Sequence, residues 1–313
     1  IKVSGDQAAE FLNLVCANNI DKGVNQTVYT QALNKKGGIE ADFTVTKIKE
    51  NEFLIVTGTA FLVHDSQWLE KQREENGFRS IEITNVTNDL AVFGIWGPKS
   101  RDILQKLTSE DLNNSAFPFG HSKEINIDGI KLRATRITYV GELGWELLIP
   151  VKDALPIWLK LKDAGATPCG YRAIESLRLE KGYLAWAGEI NTEFNPYEAG
   201  LGFAISKTRN NFYGATALSK LEKSTRKLVC ITFDDIRRVP LGSEPIKFGD
   251  QVIGRIKSGG QGYTINKAIA YAYIPIEFSE AGTELEVEFF GEWHAGKIAT
   301  TPLYDPSGSK IKA

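Results

Sequence analysis

Apolar and polar positions along this chain switch between a spacing of about two and a spacing of about three and a half residues, which predicts strands and helices mixed throughout. Ile1 to Val3 reads as a strand and Gly5 as a turn. Asp6 then stands at the N-cap of a helix with the apolar stripe Ala9, Phe11, Leu12 and Val15. Thr27 to Leu33 and Ala41 to Ile48 read as strands joined by the hairpin-like turn Asn34-Lys35-Lys36-Gly37-Gly38, with Phe53 to Thr57 as a third. Phe61 to Glu74 reads as a helix and Ile81 to Asn85 as a strand. The elements run β-α-β-β-β-α-β, which reads as a ferredoxin-like unit over residues 1–85.

A similar series follows. Leu90 to Trp96 reads as a strand, Gly97-Pro98 as a turn, Lys99 to Leu107 as a helix, then Ser122 to Ile127, Ile130 to Val140 and Trp145 to Ile149 as strands and Lys152 to Ala164 as a helix. Both series start with strand, Gly turn and helix, which suggests an internal duplication with a cleft between the halves. Ala173 to Lys181 reads as a further helix and Gly182 to Pro196 as a loop. From Leu228 short strands recur, with Gly242, Gly249, Gly254, Gly259, Gly260 and Gly262 at the expected turns, the pattern of a small barrel. The expected division is 1–85, 86–223 and 224–313: two α+β units and a C-terminal β-barrel.

Composition narrows the functional classes. At 313 residues, 42% hydrophobic and 24% charged, the chain is ordinary for a globular protein, with room for two or three packed units. A formal net charge of −2 gives no general attraction to nucleic acid or anionic membrane, and neither is an expected partner. Cys16, Cys169 and Cys230 are odd in number and far apart, so neither a disulfide framework nor a zinc site is expected. His64, His121 and His294 show no ligand spacing and read as surface or packing residues. Without an apolar run of membrane-spanning length or a signal pattern, a cytoplasmic location is expected, or a mitochondrial matrix one in a eukaryote. The chain has no methionine and begins inside a strand-like run, as expected of a piece of a longer protein.

Three stretches offer chemistry. Glu40, Asp42 and Thr44 follow the Gly37-Gly38 pair at alternate positions, so they share one strand face. That face is either a polar cleft lining, where a desolvated carboxylate would hold a proton near neutrality, or a solvated edge; the pattern favours neither. Tyr139-Val140-Gly141-Glu142-Leu143-Gly144-Trp145-Glu146 sets a tyrosine and a carboxylate seven residues apart across two glycines. Glu146 there could accept paired N–H donors from a flat heterocycle, although alone the run fits an ordinary turn better. Glu175 and Arg178 stand three apart on the third stretch, an amphipathic helix. The glycine-rich Gly254 to Tyr263 lacks the strand-loop-helix context of a phosphate loop and reads as a barrel turn.

Taken together, Gly37-Gly38-Ile39-Glu40-Ala41-Asp42, Tyr139 to Glu146, Ser176-Leu177-Arg178-Leu179-Glu180-Lys181-Gly182-Tyr183, Glu198 to Phe203 and Pro302-Leu303-Tyr304-Asp305-Pro306 occur in the order found in one family. The chain resembles the folate-binding aminomethyltransferases, that is, the glycine cleavage T-protein family, and most resembles the C-terminal folate domain of dimethylglycine and sarcosine dehydrogenases. The resemblance implies a three-domain cloverleaf fold that binds tetrahydrofolate and captures an aminomethyl or imine unit as 5,10-methylenetetrahydrofolate. It implies Asp42 as the acid/base carboxylate, with Tyr29 and Thr44 in the same pocket. It implies Glu146 as partner of the pterin N–H groups, Tyr139 against the ring system, and the backbone at Leu147 and Leu148 flanking it. The donor would be a methylated amine or another aminomethyl carrier.

Ile174 stands where stand-alone T-proteins commonly carry an arginine, which favours the dehydrogenase-linked branch. A flavin dehydrogenase domain or partner would then oxidise the amine. No G-x-G-x-x-G follows the first strand, so no flavin is assigned to this chain. A non-catalytic folate scaffold and a folate-dependent demethylase are the alternative readings on the same fold.

Overall fold

The computed structural model of the chain describes residues 1–221 and 224–313. It is an α+β structure built on three sheets. The expected boundary at residue 223 lies outside the described residues.

The first sheet combines β1 (Lys2–Ser4), β2 (Thr27–Leu33), β3 (Ile39–Lys49), β4 (Glu52–Val56) and β5 (Glu82–Thr84) in the order β2-β3-β4-β1-β5, all pairs antiparallel. This is the ferredoxin-like order with β2 added at the edge. Alternation along β3 decides which face is buried: Ala41, Phe43 and Val45 point into a core closed by α1 (Ala8–Val15) and α2 (Leu62–Glu75), while Ile39 is buried against the segment that follows the helix Tyr171–Lys181. Glu40, Asp42 and Thr44 are left half-buried on the other face. Asp6 does not cap α1: the helix begins two residues later, its N-cap is Gln7, and Asp6 instead accepts a hydrogen bond from Asn51 Nδ2 at 3.0 Å. Its apolar stripe is Ala8, Phe11, Leu12 and Val15, one residue shifted at its start.

The second sheet holds β6 (Leu90–Trp96), β7 (Ser122–Ile127), β8 (Ile130–Thr135) and β9 (Gly144–Pro150) in the order β6-β9-β8-β7. Number the strands of each unit by their place in it and both sheets read second-third-fourth-first. The second sheet lacks only a counterpart to β5 among the described residues, so the duplicated topology is explicit. Its core, with Trp145, Leu147 and Ile149 from β9, is closed by α3 (Ser100–Gln105) and α4 (Ala154–Asp163). Strand β8 stops five residues short of the expected Val140.

After α5 (Tyr171–Lys181), a connecting segment with the short helix α6 (Ala215–Ser219) packs against Leu33 and Ile39. The chain then closes a barrel in the order β10-β13-β12-β11-β14-β15: β10 (Arg226–Phe233), β11 (Pro245–Phe248), β12 (Gln251–Gly262), β13 (Lys267–Pro275), β14 (Glu284–Phe289) and β15 (Glu292–Ala299). Gly254, Gly259 and Gly260 lie inside β12 and not at turns. They serve close approach there, since a Cβ at Gly259 would sit 2.6 Å from the Pro240 carbonyl oxygen.

Candidate functional site

The helices cover one face of each α+β sheet, and the other faces hold the candidate residues. Cross-strand register sets Tyr29 of β2 opposite Thr44 of β3, and Gln31 opposite Asp42. Gln31 Nε2 donates to Asp42 Oδ1 at 3.0 Å, and the Tyr29 hydroxyl is near enough to favour the ionised carboxylate. Burial nevertheless outweighs both and pushes the Asp42 carboxyl up to about 6, with the charge of Asp65 adding in the same direction. Burial likewise pushes the Tyr29 phenol well above its usual value. An acid titrating near 6 can take up or release a proton close to neutrality.

On the second sheet, Glu146 and Leu148 share the face opposite the Trp145, Leu147 and Ile149 core. Burial alone pushes the Glu146 carboxyl up to about 7. Part of its surface is still accessible, the combination expected of a group lining a recess. Among the described residues no side chain or backbone N–H donates to the Glu146 carboxylate. Leu147 is fully buried in the core, so only its backbone could flank a ligand.

The run between β8 and β9 is not a strand. Trp96 Nε1 donates to the Ile137 carbonyl at 3.0 Å, and the Tyr139 hydroxyl to the Leu184 carbonyl at 2.9 Å, which draws residues 137–143 away from the sheet ladder. The two glycines have separate reasons. Gly141 has φ +74°, and a Cβ there would lie 2.7 Å from Lys181, whose Nζ is held by buried Asp305 at 2.9 Å. A Cβ at Gly144 would lie 2.1 Å from the Ile95 carbonyl oxygen of β6.

The two halves meet at their edges. Thr27 N–H donates to the Gly120 carbonyl at 2.8 Å, Ser122 N–H to the Asn25 carbonyl at 2.8 Å, and Arg133 Nη1 to Asn25 Oδ1 at 3.1 Å. Tyr29, Asp42 and Tyr139 come close enough for their charges to be felt by one another. Burial pushes the Tyr139 phenol above its usual range. Its ring stacks on Tyr183 at 6.1 Å, and Tyr29 stacks on Phe203 at 6.1 Å. A groove of about 810 Å³ beside Phe194, Arg226 and Tyr273 shares no residue with these faces.

Gln31 and Glu189 have no place in the sequence reading, and Arg178, Tyr183 and Phe203 enter it only within motifs, without these partners; Arg178 and Glu189 form a buried pair at 2.6 Å. Only Gln31 had a local signal: it is paired with Asp42 by the hairpin register. Glu175 does reach Arg178 at 3.0 Å, as its spacing predicts. His64 is not an isolated histidine, since it contacts Glu40 at 3.2 Å and Asp65 at 2.9 Å. Among the described residues no cluster of three or more His, Cys, Asp or Glu is placed to hold a metal, and no helix is long and apolar enough to cross a membrane.

The GCVT N-terminal domain model matches residues 1–209, and the glycine cleavage T-protein C-terminal barrel domain model matches residues 226–305. Mitochondrial dimethylglycine dehydrogenase of Rattus norvegicus is 38% identical over 99% of this chain, which spans 37% of that protein. An aminomethyltransferase of Symbiobacterium thermophilum is 31% identical, with 97% of this chain and 83% of that one covered. The crystal structure of glycine cleavage system aminomethyltransferase T from Bartonella henselae superposes with a TM-score of 0.87 at 26% identity, covering 97% of this chain and 83% of that one.

Proposed function

The chain belongs to the glycine cleavage T-protein family, and from that premise we propose that it is a tetrahydrofolate-dependent one-carbon transferase that captures an aminomethyl or imine carbon as 5,10-methylenetetrahydrofolate. The observation that carries this reading is Glu146: a desolvated carboxylate, with no donor from the described protein, on the open face of its sheet. A largely desolvated acceptor without a protein donor is best satisfied by a ligand that supplies one, and the adjacent N–H groups of an aminopyrimidinone ring offer a bidentate partner. The residues therefore fit the group. Glu146 would hold the pterin end, Tyr139 and Tyr183 would offer aromatic faces beside it, and the backbone at Leu147 and Leu148 would bound it. When bound, tetrahydrofolate supplies two nitrogens, one to take up the carbon and one to close the ring.

Asp42 then holds and moves the proton. Ring closure needs a proton removed from nitrogen, and a carboxylate titrating near 6 is ionised at neutral pH yet basic enough to accept one. Gln31 and Tyr29 orient its oxygens. Thr44 lies across from Tyr29 and completes the polar wall. Residues 1–85, 86–223 and 224–313 form the working division of the chain in this proposal. Because the matched dehydrogenases are much longer, a flavin-dependent dehydrogenase region that generates the imine from an N-methyl amine completes the proposed reaction. The proposed location is the cytoplasm or, in a eukaryote, the mitochondrial matrix, in keeping with relatives named mitochondrial.

The test supplies tetrahydrofolate and an imine generated in place by a flavin-dependent N-methylamine oxidase, then identifies the folate product by mass. Asp42→Asn is expected to keep tetrahydrofolate binding and lose the methylene product above the spontaneous background. Unchanged product formation would remove Asp42 from the role. Binding without product in the wild type would leave a scaffold, and 5-methyltetrahydrofolate would indicate a demethylase.

A further inference from the structure

Asp42 is bracketed by a cluster of polar groups that the chemistry above does not use. On one side, Glu40 precedes it by two residues on the same face, and Glu40 Oε1 lies 3.2 Å from His64 Nε2. On the other side, Thr44 follows it by two residues and pairs with Val56 of β4. The next residue, Thr57, donates its hydroxyl to Asp65 Oδ2. His64 Nδ1 lies 2.9 Å from Asp65 Oδ1 and so closes the ring of contacts. The imidazole is fixed from a third direction by Trp186, at 5.6 Å between ring centroids, and Trp186 is itself held by donating Nε1 to the Ile39 carbonyl at 3.1 Å.

We propose that His64, clamped between Glu40 and Asp65, is a positioning residue that sets how readily Asp42 holds its proton, the imidazolium offsetting the negative charge of Asp65. The inference rests on the reading of Asp42 as the proton-handling group.

The electrostatics follow from the arrangement. Asp65 is 2% exposed, so its charge is weakly screened and acts on Asp42 from the start of α2. Asp42 is acted on by Tyr29 and Gln31 from β2 and by the Asp65 charge from α2, and lies near Tyr139 of the second unit; His64 faces Glu40 from β3 and Asp65 from its own helix. The hydrogen bond to Asp65 holds the imidazole above its ordinary value, so the ring is cationic in the range where Asp42 titrates. With 42% of its side chain accessible, it exchanges protons freely with solvent. Loss of the ring cation leaves Asp65 and Glu40 uncompensated beside Asp42, which favours the protonated acid. Loss of the Asp65 charge favours the carboxylate.

The experiment is a carboxyl-carbon NMR titration of the full chain labelled with carbon-13 aspartate, without ligand. His64→Gln is expected to raise the Asp42 midpoint by roughly 0.5 to 1 pH unit, and Asp65→Asn to lower it by a similar amount. His64→Lys, which keeps a cation, is expected to stay near the wild type. Midpoints that stay put in His64→Gln, or that move equally in the Gln and Lys variants, would overturn the proposal; the His64 pair carries the test even where Asp65→Asn fails to fold. Tetrahydrofolate binding is measured on the same samples. Absent binding with opposite midpoint shifts defeats the functional reading and leaves the charge control standing, whereas retained binding with fixed midpoints defeats the charge control alone.

Discussion

The two α+β units are copies in strand order, yet each treats the carboxylate on its open face differently. In the first, Asp42 receives a donor from Gln31, has the Tyr29 hydroxyl close by, feels the charge of Asp65, and titrates near 6. In the second, Glu146 is desolvated to a titration near 7 with no described donor at all. A carboxylate surrounded by protein donors is held in one geometry with a tuned proton affinity, which suits proton transfer. A bare one has its acceptor capacity free, which suits a ligand bringing paired N–H groups. On the proposed reading, one scaffold used twice separates chemistry from recognition.

The comparison is broken most sharply by Asp42→Asn. The amide keeps the shape and most hydrogen bonds but cannot accept the proton, so product formation is expected to fall by roughly 10²- to 10⁴-fold in a turnover assay. An equal loss of tetrahydrofolate affinity would merge the two roles.

A stability measurement sharpens the Glu146 side. Its native carboxyl titrates near 7, against about 4.3 for an unfolded glutamate. Between those values the native state binds more protons than the unfolded one, so stability falls as pH rises through the window and is lowest above 7. Glu146→Gln removes this dependence and is expected to stabilise the ligand-free protein at pH 8 by about 1–3 kcal/mol, read by denaturant titration at pH 5 and pH 8. A destabilised variant would mean that Glu146 has a protein partner after all.

The smallest effect is expected of Tyr29→Phe. Its hydroxyl stabilises the ionised Asp42, so its loss is expected to raise the acid limb of the pH–rate profile by about half a pH unit and to slow the reaction about tenfold or less. An unchanged limb would show that Tyr29 acts through its ring alone.

Much of this arrangement was legible in the order of residues. Thr27–Leu33, Leu90–Trp96 and Ser122–Ile127 end where Asn34 to Gly38, Gly97-Pro98 and Asp128-Gly129 turn the chain, and local turn chemistry marks such limits well. The alternation Glu40, Asp42, Thr44 placed all three on one face, although it could not say whether that face was a recess or a solvated edge. What stayed hidden depends on contacts remote in sequence. Strand β8 ends early because Trp96 and Leu184 capture the backbone and side chain of residues 137 and 139. The glycines of β12 answer to Pro240 and Tyr273 across space, with no local signal to separate them from turn glycines. The Arg178–Glu189 pair and the clamp on His64 join side chains whose proximity no helical or strand period encodes. Family motifs supplied the functional reading of Tyr139 to Glu146 where spacing alone favoured a turn.

The central claim is that recognition and proton transfer lie on different sheets, and calorimetric titration of tetrahydrofolate at pH 8 into Glu146→Gln and Asp42→Asn tests it most directly. The account predicts affinity lowered by roughly 30- to 100-fold in Glu146→Gln, the loss of about 2–3 kcal/mol of charge-assisted pairing, and by no more than a few-fold in Asp42→Asn. Equal losses in both variants, or a loss in Asp42→Asn alone, would contradict it.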